Sequence, residues 1–184
     1  ALLNEGMIRK HKGKGSIVTG PPNGIGILSI SGTTSALGRH NLSTRILSKP
    51  VVIPWPDDFM FPLTEEYRRS GCIYLERLRL VNDRPVFYDL NYLPNINLPR
   101  FCNRKFADQS LFDILRRVYQ VEVKSGEQRI RAVPADERIC THLGVPVTHP
   151  VLHLQRKLTT NRPGFYFYSS IYCNTEEHAL YGTF

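Results

Sequence analysis

Apolar and aromatic residues interleave with polar ones along most of the chain, and a few stretches switch to a helical spacing. CIYLERLRLV (72–81), the turn-forming NDR, and PVFYDLNYLP (85–94) predict a β-hairpin. HPVLHLQRKLTT (149–160), the turn NRPG and FYFYSSIYCN (165–174) predict another. Between them, VEVKSGEQRIRAV (121–133) reads as a further hairpin or as one bent strand, and STRILSKPVVIP (43–54) has the β-branched character of a strand. Helical spacing is found in DQSLFDILRRVYQ (108–120), where Leu111, Ile114, Leu115 and Val118 share a face and Asp108 is placed to cap. LTEEYRRSG (63–71) is a shorter helix with Thr64 as cap and Gly71 as stop. PADERICTHLG (134–144) is another, with Pro134 near its start and Gly144 at its end. Hairpins interspersed with helices predict an α+β fold built on a mainly antiparallel β-sheet, with helices packed on it.

The first 38 residues follow a different pattern. Ala1 to Glu5 read as the end of a helix stopped by Gly6, and Met7–Lys10 and Gly15–Val18 as two short strands around a His11–Lys14 tip. GPPNG (20–24) is linker-like, GILSI (26–30) is a short apolar run, and SGTTSALG (31–38) is hydroxyl-rich and bounded by glycines. A half-helix plus a hairpin buries no core, so the opening reads as a piece of something larger.

Composition narrows the class. At 184 residues, 41% hydrophobic and 22% charged, the chain is long enough for one well-filled domain, with or without a short appendage. No run reaches the roughly 18 apolar residues of a membrane helix, and no secretory signal opens the chain, which makes the cytoplasm the default expectation. Cys72, Cys102, Cys140 and Cys173 are scattered, as are the histidines, so no metal site or disulfide framework is expected. The net charge is +8 and the pI near 9.5, which favours a polyanionic partner. Arg9, Lys10, Lys12 and Lys14 crowd into six positions at the predicted tip.

Two stretches suggest binding chemistry. In the first hairpin, Ile73, Leu75, Arg77, Arg79 and Val81 share one face. Pairing about Asp83 would set Arg77 opposite Asp89 and Arg79 opposite Phe87. That is either an ordinary cross-strand ion pair on the surface or a pair of guanidinium forks suited to phosphate or carboxylate. In the last strand, Tyr166, Tyr168, Ser170 and Tyr172 line one face, which suits a hydroxylated ligand or is simply a tyrosine-rich, half-exposed surface. SGTTSALG could hold phosphate through Ser31, Thr33, Thr34, Ser35 and backbone N–H groups, or could be a capped helix start; it is no P-loop, since no Gly-Lys-Ser/Thr follows. No catalytic constellation is evident.

The hairpin LERLRLVNDRPVFYDLNYLP, the stretch RIRAVPADERICTHLGVPVTHPVLHLQRKLTTNRPGFYFYSSIY and the basic opening, in this order, resemble the HutC-type branch of the GntR bacterial transcription regulators. Those proteins join a winged helix-turn-helix to a UTRA effector-binding domain with the chorismate lyase-like fold. The resemblance implies that 1–19 are the end of a recognition helix and the wing, 20–25 a linker, and 26–184 the UTRA domain. It implies that Arg9, Lys10, Lys12 and Lys14 touch DNA phosphates, adding affinity without reading sequence. It assigns Arg77 and Arg79 to the effector's anionic group, Asp89 to its hydroxyls and Ser110 to a phosphate. Tyr172 becomes a ligand-facing aromatic and Ser31 a hydroxyl in the loop after the first strand. Tyr166 stands where many members carry glutamate, and Phe112 where some carry tyrosine.

The implied function is ligand sensing in a cytoplasmic, homodimeric repressor that binds operator DNA through a largely missing N-terminal domain. The implied effector is a small acidic metabolite, best a sugar phosphate, with no cofactor, metal or enzymatic activity. Two other readings remain: a lyase on the same fold, which pyruvate release would reveal, and a nucleic-acid-binding domain stacking bases on its tyrosines.

Overall fold

Strand-forming alternation dominates the computed structural model, which describes residues 8–11, 15–18, 25–26, 42–106, 109–176 and 180–181. Six strands form one sheet in the order β4-β5-β6-β9-β8-β7, every neighbouring pair antiparallel. They are β4 (Leu42–Ile53), β5 (Cys72–Val81), β6 (Arg84–Pro94), β7 (Val123–Pro134), β8 (Pro150–Thr160) and β9 (Tyr166–Cys173). β1 (Ile8–His11) and β2 (Gly15–Val18) form a separate antiparallel hairpin, and β3 (Ile25–Gly26) pairs in parallel with β10 (Leu180–Tyr181).

A tight turn and a bulge beside it explain the register of β5 and β6. Asn82 and Asp83 have φ of 50° and 62°, the consecutive positive values of a mirror-image two-residue turn whose twist matches that of the strands. Asn and Asp tolerate that region better than most residues. The turn pairs Val81 with Arg84 and Leu80 with Pro85, and a bulge between Arg79 and Leu80 then shifts the register by one, which sets Arg79 opposite Phe87 and Arg77 opposite Asp89, the pairing that a centre at Asp83 predicts.

Among the described residues three α-helices complete the fold: α1 (Glu65–Ser70), α2 (Leu111–Tyr119) and α3 (Glu137–Leu143). α2 covers the sheet face that carries Ile73, Leu75 and Leu93, burying Leu111, Ile114, Leu115 and Tyr119 among them together with Phe165 and Phe167. α3 lies on the opposite face, its Ile139 and Leu143 packed with Leu78, Leu80, Tyr88 and Leu90. Glu76, next to Arg77 but on the other side of the pleat, anchors α3. Its carboxylate accepts from Arg138 Nη2 at 2.6 Å, from Tyr74 OH at 2.5 Å and from Tyr88 OH at 3.0 Å.

Several sequence expectations are refined. Thr64 caps α1, accepting from Tyr67 N, and Gly71 follows it at φ 69°. α2 starts at Leu111 rather than at 108. Its cap is Ser110, whose Oγ accepts from Asp113 N at 3.3 Å, and Asp108 lies outside the described residues. The 121–133 stretch is one strand, kinked between Val123 and Ser125, because β8 pairs with it along its whole length. Pro134 ends that strand, and Asp136 caps α3 through Ile139 N at 2.8 Å. His11 pairs with Gly15 and so belongs to β1, not to the tip. The Ala1–Gly6 segment, the linker at 20–24 and SGTTSALG fall outside the described residues.

Leu115 is fully buried between α2 and the sheet. Leu115→Ala should cost about 2–5 kcal/mol, read as a lowered urea midpoint with an unchanged slope.

Candidate functional site

Paired residues on adjacent antiparallel strands share a face, so the register defines rows across the sheet beneath α2. One row runs Ile46, Arg77, Asp89, Ile171, Leu154 from β4 to β8. The next runs Leu75, Asn91, Ser169, Arg156, Gln128 from β5 to β7. Two arginines, a carboxylate and small polar groups in these rows, and Arg79 in the next row opposite Phe87, therefore sit on the otherwise apolar side that α2 covers. They line a hollow of about 350 Å³, counting its open mouth, which is closed at one end by Ser110, Leu111 and Phe112 at the start of α2.

Burial makes this arrangement chemically pointed. Arg77, Arg79, Arg156 and Asp89 are only 5%, 3%, 7% and 1% exposed. Arg77 Nη2 donates to Asp89 Oδ2 at 3.0 Å. Arg156 Nε donates to Gln128 Oε1 at 2.6 Å. Desolvation pulls all three guanidinium groups below their ordinary range, Arg79 to about 10, while the nearby Asp89 charge opposes the shift in each. All three remain cations at neutral pH. Among the described residues, Asp89 is the carboxylate that lines the hollow with these three buried guanidinium groups, whose planar forks match the geometry of phosphate or carboxylate. The N-terminal end of α2, with its partial positive charge, points the same way.

Of the residues singled out from the sequence, Arg77, Arg79, Asp89 and Ser110 meet at this hollow. Ser31 lies outside the described residues, as do Lys12 and Lys14. Arg9 and Lys10 stand in β1, paired with Ile17 and Ser16 of β2.

Tyr172 and Tyr166 do not reach the hollow. Asp89 pairs with Ile171, so alternation puts Ser169 and Ile171 beside the arginines and turns the tyrosine row to the other face. There Tyr172 stacks on His153 at 4.3 Å between ring centroids, and Tyr166 lies under Lys157 Nζ at 4.5 Å. Tyr168 is buried against Trp55, Phe59 and Phe61. The tyrosine row is thus largely packed away rather than laid out for stacking bases. His153, between Tyr172 and Arg131 of β7, shares a short 2.7 Å hydrogen bond with Ser170 Oγ. Burial first, and the Arg131 charge second, pull its imidazole down from the ordinary histidine range.

Arg156, Asn91 and Ser169 were not singled out from the sequence. Arg156 carries the same signal that marked Arg77, a charge interrupting the apolar run Leu152, Leu154, Leu158 on one strand face.

The comparisons fit this architecture. Residues 39–179 match the model of the UTRA domain. The chain is 23% identical over 175 residues to the HTH-type transcriptional regulator GmuR of Bacillus subtilis, covering 91% of this chain and 73% of that protein. It is 23% identical over 167 residues to the HTH-type transcriptional repressor STM4068 of Salmonella typhimurium, covering 85% of this chain and 65% of that one. The crystal structure of the effector domain of PhnF from Mycobacterium smegmatis superposes with a TM-score of 0.75 at 13% identity, covering 86% of this chain and 98% of that one.

Asp89→Asn should destabilise the fold by about 3–5 kcal/mol, the cost of leaving a buried charge without its partner, read by urea denaturation at neutral pH. The pH dependence has a separate source in His153. Its folded form resists protonation, so as pH falls the unfolded chain binds the proton first. Its contribution is complete above about pH 6.5 and is lost on acidification below it. His153→Gln should flatten the decline in stability between about pH 7 and pH 5.

Proposed function

The chain belongs to the UTRA domain family, and from that premise we propose that it is the effector-sensing part of a bacterial transcription regulator, acting as a repressor. The effector is a small acidic metabolite, best a sugar phosphate. The observation that carries this reading is the hollow in which Arg77, Arg79 and Arg156 are buried with one carboxylate. Its phosphate would lie between Arg77, Arg79 and Ser110 at the start of α2, where guanidinium forks and a helix N-terminus both favour an anion. Asp89 would accept hydrogen bonds from hydroxyls nearby.

The relatives GmuR and STM4068 carry names of transcriptional regulators rather than of enzymes, which supports a regulatory role over the lyase alternative. The basic opening, with the β1–β2 hairpin at its centre, supports a wing lying along operator DNA. Its Arg9, Lys10, Lys12 and Lys14 would neutralise backbone phosphates. The Pro-rich linker at 20–25 would transmit effector binding to two DNA-binding heads in a homodimer. A shift in head spacing weakens operator binding because half-sites are set by the DNA helical repeat. A coupling of about 1–3 kcal/mol suffices for such control. Among the described residues no helix is long and apolar enough to cross a membrane, in keeping with action in the cytoplasm.

A thermal-shift screen of sugar phosphates against this chain should find a stabilising compound, the gain being about 2.7 kcal/mol at a hundredfold excess over Kd. Arg77→Ala should then weaken its binding about tenfold or more by calorimetry, the scale of a lost charge-assisted hydrogen bond. An unchanged Kd would remove the hollow from consideration as the effector site.

A further inference from the structure

We propose that the outer edge of β7 is the surface through which two copies of this chain pair, antiparallel and centred on Gln128, so that their sheets join into one. This rests on the homodimer of the reading above and names its contact. β7 lies at the end of the six-stranded sheet and is bonded to β8 on one side along its length. Among the described residues no strand lies against its other side. Its positions are exposed apart from Val123, Gln128 and Val133, which are half-buried. An open strand edge that also shows an isoleucine to solvent, Ile130 at 42% exposure, is a template for a further strand.

The opposite edge of the sheet is poorly suited to such pairing. β4 contains Pro50, which has no N–H to give, and its register breaks between Ile46 and Ser48 and again between Ser48 and Val51. β7 runs in regular register from Ser125 to Pro134. A two-fold axis through that edge keeps each residue on its own side of the sheet, so the residue on the axis defines the whole pairing. Centring on Glu127 opposes two carboxylates, and centring on Arg129 opposes two guanidinium groups. Centring on Ile130 opposes Arg129 and Arg131 twice, and centring on Gly126 brings no opposite charges together. Centring on Gln128 sets Glu127 against the partner's Arg129, and Arg129 against the partner's Glu127. Lys124 and Ser125 then face the partner's Ala132 and the partner's Arg131, so no like charges stand directly opposite.

The same register fits in shape. Within the strand, Arg129 Nη2 already meets Glu127 Oε1 at 3.0 Å. Arg129 is held there by Met60 O, 3.2 Å from its Nη1, and by the Phe61 ring, whose centroid lies 4.5 Å from its Cζ. Doubled across the axis, the two pairs close a ring of four alternating charges. On the other side of the pleat, Ile130 falls opposite the partner's Gly126. A Cβ on Gly126 would stand 3.0 Å from Lys157 O and 3.1 Å from Leu158 Cδ2, so this position leaves a notch that an isoleucine side chain covers. Gln128 turns inward, its Oε1 accepting from Arg156 Nε at 2.6 Å, which leaves the axis clear.

The test is sedimentation equilibrium on the full chain. The wild type should be a dimer. Glu127→Arg and Arg129→Glu each set like charges opposite one another twice across the axis, and each should raise the dimer dissociation constant by roughly tenfold or more. Mixed in equal amounts, the two variants again oppose arginines with glutamates and should regain the dimer that neither forms alone. Should Arg129→Glu fail to fold without its Phe61 contact, Gln128→Cys gives a second measurement. It places two thiols on the axis, where directly opposed residues of antiparallel strands have Cα atoms about 4.5–5.5 Å apart, within disulfide range. Mild oxidation should cross-link Gln128→Cys into a covalent dimer and leave Ser125→Cys, off the axis, uncross-linked. A wild-type dimer that either charge variant retains, or a Gln128→Cys chain that cross-links no more than Ser125→Cys, overturns the β7 contact and leaves the homodimer reading in place. Monomeric variants that stay monomeric when mixed overturn the Gln128 register and the inference with it. A monomeric wild type overturns this contact and the homodimer together, while effector binding is measured separately by calorimetry.

Discussion

The buried pair of Arg77 and Asp89 is the constraint on which the rest of the structure depends. A guanidinium 5% exposed has to be compensated, and one carboxylate at 3.0 Å does so for Arg77. That carboxylate stands among three such cations. The fold holds them because the sheet is rigid on both sides, with α2 and its apolar cluster over one face and α3 over the other. Burying guanidinium groups is costly, and the fold concentrates that cost at the hollow they line.

The same hairpin links site and scaffold. The tight turn at Asn82 and Asp83 and the bulge between Arg79 and Leu80 together fix its register, and the register fixes which carboxylate meets which arginine. One residue away, Glu76 gathers Arg138, Tyr74 and Tyr88 on the opposite side and so seats α3. The membership in the UTRA domain family and the superposition on the PhnF effector domain agree with a scaffold in which loops and helix starts are hung on a stable antiparallel sheet.

How much of this was legible in the sequence depended on the range of the determining contact. The Arg77–Asp89 pairing was readable because it is set locally, by a tight turn and a bulge within one hairpin. Thr64, Gly71 and Gly144 were readable as helix ends for the same reason. The start of α2 was not, because Asp108 and Ser110 are both good caps and the choice falls to the packing of Leu111 beneath the helix. The side taken by the tyrosines was not readable either. Alternation shows that Tyr166, Tyr168, Ser170 and Tyr172 share a face, but the partner register of β6 and β9, set by residues some 80 apart in the chain, decides which layer that face meets. Arg156 escaped notice because its meaning depends on β8 lying two strands from β6, and sheet order is a long-range property.

The split between Glu76 and Arg77 has an evolutionary corollary. Successive side chains of β5 serve opposite sides of one sheet, so the guest can be changed by rewriting alternate letters of the strand while the intervening letters keep α3 seated. The lining of the hollow and the architecture are thereby written in the same ten residues yet can drift independently, and a scaffold of this kind can reshape its hollow without first having to refold.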